Sequence, residues 1–134
     1  MLIGIPKEIL SNETRVAATP EIVKKLIAAN HTVNIEKNAG HSSFISDEEF
    51  QNAGATIKES TNEIYQSDII FKVNPPSKEE LEILKEGSTL ITFFQIKDQV
   101  DLLSTYVNKK ITLFSMNHVP RTTLAQNMDA LSSQ

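Results

Sequence analysis

The sequence predicts an α/β fold in which an open, mainly parallel sheet is flanked by helices, as in Rossmann-like or flavodoxin-like layered domains. Short apolar, β-rich runs alternate with amphipathic stretches of helical period along the chain. Regular alternation of strand and helix favours parallel strands, because the chain needs a crossover, usually a helix, to return to the same end of the sheet. Three Ser-x-x-Glu spacings mark the expected helix starts.

The opening third of the chain predicts a strand, a helix and a second strand. Leu2–Ile5 is a short apolar run, and Thr32–Glu36 alternates apolar and polar residues. Thr19 offers the side-chain oxygen that an N-cap needs, and Pro20 suits the first helical position. The helix between the strands should bury a stripe of four apolar side chains: Ile22, Val23, Leu26 and Ile27.

Three further helices are predicted where a serine is followed three residues later by a glutamate. The pairs are Ser46 with Glu49, Ser60 with Glu63, and Ser77 with Glu80. A fifth helix is expected from Asp98 or Gln99 to about Asn108.

Three more apolar runs predict strands that are buried on both faces. They are Asp68–Val73, Thr89–Phe94 and Ile111–Ser115, and their β-branched and aromatic content is typical of the inner strands of a parallel sheet.

The composition limits the kinds of partner and site that this chain can have. A chain of 134 residues supports one domain, and 40% hydrophobic with 22% charged residues is ordinary for a globular protein. The formal net charge of −4 argues against nucleic acid or an anionic membrane as the main partner. The absence of cysteine excludes disulfides and thiolate metal sites. Lacking both a signal peptide and the roughly 18–20 apolar residues of a membrane span, the chain is expected to be a soluble, cytoplasmic domain with no direct membrane insertion.

Ligands of open parallel sheets bind outside the carboxyl ends of the strands. Four segments of the predicted fold reach that edge: Lys7–Arg15, Lys72–Pro76, Phe94–Lys97 and His118–Gln126. An arginine such as Arg15 can clamp a carboxylate or phosphate with two hydrogen bonds. The alternative is an ordinary surface salt bridge with Glu13 or Glu8.

Neither histidines nor glycines predict a site by themselves. His31, His41 and His118 lack the spacing of a metal site, and the first two are expected to be solvated. Gly4, Gly40, Gly54 and Gly87 are too dispersed for the G-x-G-x-x-G pattern that cradles a dinucleotide.

The final residues have an amphipathic pattern. If residues 122–134 are helical, three apolar side chains share one face: Leu124, Met128 and Leu131. Polar side chains fall on the opposite arc, with Arg121 just ahead of it: Gln126, Asp129, Ser132 and Ser133. Such an arc can grip a ligand by hydrogen bonds, or it can be an ordinary solvated face.

The closing segment, Pro120 to Gln134, closely resembles part of the NAD(H)-binding component of proton-translocating nicotinamide nucleotide transhydrogenases. The opening, Ile3 to Pro20, resembles the start of the same family and of its relatives, the alanine dehydrogenases. Residues 36–40, 53–55 and 70–73 extend the resemblance over the whole chain.

The resemblance implies a two-domain protein of which residues 1–134 are an incomplete N-terminal domain. The glycine-fingerprint domain that binds most of the NAD would follow Gln134, so the isolated chain is expected to be inactive. The implied partners are the NADP(H)-binding and transmembrane components and a second copy of the subunit. The implied location is cytoplasmic, peripheral to the inner membrane.

The resemblance also implies roles for four residues near the nicotinamide. Arg121 and Gln126 would orient the ring for hydride transfer, and Asp129 and Ser132 would hold the carboxamide and ribose region. Relatives usually carry a second arginine where this chain has Leu124, which changes the charge of that loop.

Comparison with the alanine dehydrogenases leaves three functions open. Their residues matching Arg15 and Lys72 hold the substrate, although Lys72 could instead extend its ammonium to solvent. They carry a catalytic histidine where this chain has Gln95, and an amide cannot shuttle a proton at neutral pH. A transhydrogenase is therefore favoured over an amino-acid dehydrogenase, and the third possibility is a non-catalytic remnant.

Overall fold

The structure, a computed structural model, describes residues 1–9, 13–92 and 102–115. Within them lie six strands and five α-helices. The strands are β1 Leu2–Ile5, β2 Thr32–Glu36, β3 Thr56–Lys58, β4 Ile69–Lys72, β5 Thr89–Thr92 and β6 Thr112–Ser115. The helices are α1 Pro20–Ala28, α2 Asp47–Asn52, α3 Thr61–Tyr65, α4 Lys78–Ile83 and α5 Leu103–Asn108, and a 3₁₀ turn spans His41–Ser43.

The six strands form one parallel sheet in the order β3-β2-β1-β4-β5-β6. The chain moves outward from β1 to β3, crosses back to β4 beside β1, and then moves outward in the opposite direction. The predicted α/β fold class is thus confirmed. The boundary between β1 and β4 is the switch point at which open sheets of this kind bind ligands.

The helix starts follow the sequence prediction. Thr19 caps α1 by accepting a hydrogen bond from the Ile22 amide, and Ile27 is partly buried beside the fully buried remainder of the predicted stripe. Ser46, Ser60 and Ser77 each cap a helix. The reciprocal half of the capping box forms at Ser77, whose amide donates to Glu80 Oε1 at 2.8 Å.

Two strand predictions need correction. β3 was missed because it has only three residues and is partly exposed, so it carries little apolar signal. The burial expected on both faces is wrong for β6, where Phe114 is 37% exposed, because β6 has a neighbour on one side only within the described sheet. Residues 93–101, which contain the expected end of β5 and start of α5, lie outside the described part.

The sheet separates two cores. Successive side chains along a strand point to opposite faces, so they belong to different cores. Ile69 and Phe71 of β4 belong to the larger core with α1 and α2. Ile70 belongs to the smaller core, which contains Tyr65, Leu81, Leu84, Leu90 and Tyr106. Lys72 has the parity of Ile70 and therefore points to the side covered by α3 and α4.

No helix in the described ranges is long and apolar enough to cross a membrane.

Gly4 in β1 lies against the end of α3 and the turn that follows it. A Cβ at this position would lie 2.5 Å from Ser67 Oγ and 2.6 Å from the Ile64 carbonyl oxygen. We expect Gly4→Ala to lower the free energy of unfolding by about 1–3 kcal/mol, because backbone must move to admit the methyl group. Urea unfolding measures the loss. Thr32→Ala, at the exposed first residue of β2, is the control, with a change within about 0.5 kcal/mol; equal losses would contradict the steric explanation.

Candidate functional site

The centre of the candidate site is the ammonium of Lys72 at the carboxyl end of β4. Its Nζ lies 3.2 Å from Glu8 Oε1 and 3.3 Å from Glu80 Oε2. The side chain is only 1% exposed, so the alternative in which it reaches solvent is wrong. Lys72 is buried because its side chain lies on the same face of the sheet as Ile70, the face that α4 covers.

Glu8 joins the carboxyl ends of β1 and β4. It lies in the loop after β1, and its side chain is 3% exposed. One carboxylate oxygen accepts the Val73 amide at 2.9 Å, and the other accepts the Asn74 amide at 3.2 Å as well as the Lys72 ammonium. Backbone donors therefore share the negative charge with the lysine, which is what a buried carboxylate requires.

Glu80 uses its two oxygens for different tasks. Oε1 closes the capping box at the start of α4, while Oε2 contacts Lys72 and accepts the Tyr65 hydroxyl at 2.6 Å. Burial raises the pKa of Tyr65, and the negative charge of Glu80 raises it further, so the hydroxyl remains a donor. Glu80 thus couples the helix start to the buried lysine.

A second, more exposed group of side chains borders this cluster. Arg15 Nε and Nη2 each donate to a Glu13 oxygen at 2.9 Å, and Asn74 Nδ2 donates to Glu13 Oε1 at 2.8 Å. The surface salt bridge with Glu13 is the alternative that the structure confirms for Arg15, whose side chain is 54% exposed. The hydrogen bonds from Arg15, supplemented by Asn74, lower the pKa of Glu13 to about 2.

A pocket of about 200 Å³ opens beside these groups. Its lining comes from the loop after β1, the end of β4 and the start of α4: Glu8, Ile9, Lys72, Asn74, Pro75, Ser77 and Glu80. The predicted meeting of the Lys7–Arg15 and Lys72–Pro76 segments is therefore confirmed. The other two expected segments, residues 94–97 and 118–126, lie outside the described ranges.

Glu80 and Tyr65 are the site residues that the sequence prediction missed. The spacing from Ser77 identified Glu80 as a helix cap, which it is, but gave no sign of its second partner. Tyr65 carries no motif. Packing of α3 beside α4 brings Tyr65 to Glu80, whereas the pairing of β1 with β4 brings Glu8 to Lys72.

The residues predicted to surround the nicotinamide, Arg121, Gln126, Asp129 and Ser132, lie outside the described residues. So do Gln95, His118 and the apolar face of Leu124, Met128 and Leu131.

The histidine prediction is half right. His41 is exposed as expected, whereas His31 is 4% exposed, with its Nδ1 3.5 Å from the Met1 amino group. The turn between α1 and β2 folds His31 against the sheet, since its amide bonds to the Leu26 carbonyl. The described ranges contain no group of three or more histidine or acidic side chains placed to hold a metal.

Comparison with known proteins shows which family this chain matches. Residues 4–134 match the model "alanine dehydrogenase/PNT, N-terminal domain". The α subunit of NAD(P) transhydrogenase from Haemophilus influenzae is 46% identical over 99% of this chain. An alanine dehydrogenase from Methanococcus maripaludis is 45% identical over 84% of it.

A solved structure agrees with the sequence comparisons. The transhydrogenase from Sinorhizobium meliloti superposes with a TM-score of 0.83 at 35% identity, covering 99% of this chain and 40% of that one. The chain spans 26% of the Haemophilus protein and 30% of the Methanococcus protein.

Removing the Lys72 ammonium should destabilise the fold, because two buried carboxylates then lack a counter-charge. We expect Lys72→Met to lower the free energy of unfolding by about 3–5 kcal/mol, because Glu8 and Glu80 lose the cation between them. Lys72→Met with Glu80→Gln should recover part of this loss. Denaturant unfolding measures both. Lys85→Met is the control: its pair with Asp68 is exposed and should be worth less than about 1 kcal/mol.

Losses that simply add in the double variant would contradict this coupling.

Ionised Glu13 should stabilise the folded state, and this stabilisation should be lost in acid. Its pKa lies at about 2 in the folded chain against an ordinary value of 4.5. Because the folded value is the lower one, ionised Glu13 stabilises the folded state fully above the ordinary value, and the contribution disappears as the pH falls towards 2. We expect Glu13→Gln to cost most near neutrality and least in acid, as measured by unfolding at several pH values.

Arg15→Met provides the control for this pH dependence. In that background the pKa of Glu13 should move up, and Glu13→Gln should show a weaker dependence on pH. A dependence that is unchanged without Arg15 would show that the guanidinium is not its cause.

Proposed function

The chain belongs to the N-terminal domain family of alanine dehydrogenases and pyridine nucleotide transhydrogenases, and from that premise we propose that it is the N-terminal domain of a transhydrogenase α subunit. The observation that carries the proposal is the match to the Haemophilus influenzae subunit at 46% identity over 99% of the chain. The match to an alanine dehydrogenase covers 84%. The resemblance therefore extends further along the chain in the transhydrogenases.

The proposed reaction belongs to the whole complex. Hydride passes from NADH to NADP⁺ and is coupled to proton translocation, with the NADP(H)-binding and transmembrane components as partners and a second copy of the subunit in a homodimer. The subunit would lie on the cytoplasmic side, peripheral to the inner membrane. NAD would be bound mainly by a glycine-fingerprint domain of the subunit.

The pocket beside Lys72 is too small to hold NAD. Its volume of about 200 Å³ is below the roughly 300 Å³ at which ligand pockets begin, and its charged groups already bond to one another. We place the nicotinamide contacts at Arg121 and Gln126, which would orient the ring, and at Asp129 and Ser132, which would hold the carboxamide and ribose. Hydride transfer needs this alignment rather than a protein nucleophile.

In this function the buried cluster supplies rigidity. Glu8 and Lys72 fix the loops after β1 and β4, so one wall of the cleft keeps its shape when a nucleotide binds. Gln95 favours a transhydrogenase over an amino-acid dehydrogenase, because an amide at the position of the dehydrogenase histidine removes the proton shuttle without harming hydride transfer.

An amino-acid dehydrogenase is the second candidate, favoured by the 45% identity to the Methanococcus enzyme. Two assays of the full-length subunit separate the functions: reduction of an NAD analogue by NADPH in the presence of the partner components, and alanine-dependent reduction of NAD. We expect the first activity and not the second. If the subunit shows only the alanine-dependent activity, it is a dehydrogenase. If it shows no activity in either assay, a non-catalytic remnant is favoured.

Substitutions at the proposed nicotinamide contacts should separate catalysis from folding. In the full-length subunit, Arg121→Ala and Gln126→Ala should lower hydride transfer about 10- to 100-fold, because a poorly aligned ring reacts slowly. Asp129→Asn should mainly weaken NADH binding. Glu48→Gln, on the exposed side of α2, is the control. Wild-type turnover and NADH affinity in all three variants would refute the proposed site.

A further inference from the structure

The turn between β2 and α2 presents one aromatic side chain, Phe44, almost wholly to solvent. Its exposed fraction is 96%, the highest among the large apolar side chains of the described ranges. Its backbone is left-handed, with φ +61° and ψ +29°, a conformation that costs free energy in a residue with a Cβ and is rare for a bulky one. A single exposed apolar side chain is ordinary, but here full exposure and an unfavourable backbone coincide.

The residues on either side of Phe44 are anchored. The Ile45 amide bonds the Gly40 carbonyl at 2.9 Å, and the Ile45 side chain packs against the larger core. The Ser43 hydroxyl donates to the Thr14 carbonyl in the loop after β1. A left-handed residue persists where the surrounding structure over-determines its conformation. The ring of Phe44 therefore projects from a fixed backbone.

Phe44 stands at the same edge of the sheet as the candidate site. Its turn follows the carboxyl end of β2, and the bond from Ser43 joins that turn to the loop that also carries Arg15. Ile9, in the same loop, is 61% exposed and lines the pocket beside Lys72. Two exposed apolar side chains thus border the edge at which open parallel sheets bind their ligands.

The relatives of this chain are much longer than it is. The chain spans 26% of the Haemophilus protein and 40% of the Sinorhizobium structure. In the function proposed for the subunit, a glycine-fingerprint domain holds most of the NAD while the nicotinamide lies against the present domain. The two domains would then face each other across the carboxyl edge, since ligand sites are preferentially built between domains.

We propose that Phe44 anchors the contact with the glycine-fingerprint domain of the same subunit, packing into an apolar recess of that domain when the cleft closes over NAD. The inference rests on the proposed function for the presence of that domain. Aromatic rings are enriched in the buried centres of protein interfaces, and a ring held on a fixed turn loses little freedom when it becomes buried. The left-handed turn keeps the ring away from the core of its own domain.

Photo-crosslinking in the full-length subunit tests the contact directly. The photoreactive p-benzoyl-L-phenylalanine replaces Phe44 and keeps its aromatic bulk; the control places it at Lys24, on the exposed face of α1. Irradiation with NADH present should join position 44, and not position 24, to the glycine-fingerprint domain of the same polypeptide. A crosslink to a second copy or to the NADP(H)-binding component, a crosslink within residues 1–134 only, no crosslink, or equal crosslinks from both positions would overturn the proposal.

Phe44→Asn tests what the contact does. Asparagine tolerates the left-handed backbone, so without nucleotide the unfolding midpoint of the full-length subunit should be unchanged or higher. The dissociation constant for NADH should rise about 3- to 10-fold, because the closed arrangement is less populated without the ring. Lys24→Gln is the control and should alter neither quantity. Unchanged NADH affinity, or a weaker affinity that comes with a lower midpoint, would contradict the assigned role.

The two experiments separate this inference from the proposed function. Crosslinking requires no turnover, so it reports the contact equally well if the subunit oxidises alanine instead of reducing NADP⁺. An unsubstituted subunit that fails to bind NADH would refute the proposed function, whereas a missing crosslink in a subunit that binds NADH would refute the contact.

Discussion

The buried ammonium of Lys72 is the constraint on which the switch point of this fold depends. It is held between two carboxylates that arrive from the loop after β1 and from α4, so residues 8, 72 and 80 must come together for any of them to be buried. A charge in the interior is tolerated only with good pairing and hydrogen bonds, and here backbone amides and the Tyr65 hydroxyl complete them. The arrangement favours one relative position of these elements over others.

Helix α4 shows how short elements of this chain obtain their stability from outside. Six residues are too few for an isolated helix in water. Its first turn is fixed by the capping box and by the contact of Glu80 with Lys72, and its last carbonyls are fixed by Lys109. A helix held at both ends by charged side chains from other elements can deliver Glu80 to one defined place.

The sheet order is that of dinucleotide-binding domains, but the residues at the ends of β1 and β2 have different partners here. Where such domains carry a glycine-rich turn after β1, this chain places Glu8 across the strand ends. Glu36 ends β2, the position of the acid that binds a ribose, and it accepts the Lys7 amide and the Thr61 hydroxyl instead. At this edge of the described sheet, Glu8 and Glu36 therefore bond to groups of the chain itself.

Local sequence pattern was enough to predict the layered α/β class, β1, β2, the start of α1 and all three serine caps, because periodicity and capping are properties of neighbouring residues. It also predicted that the loops after β1 and β4 would meet, since parallel strands share one carboxyl edge. The tertiary structure alone decided that Lys72 is buried, that Glu80 is its partner and that His31 lies inside. Those facts depend on pairing across the sheet between residues far apart in sequence, where each partner supplies the compensation that makes the other's burial possible.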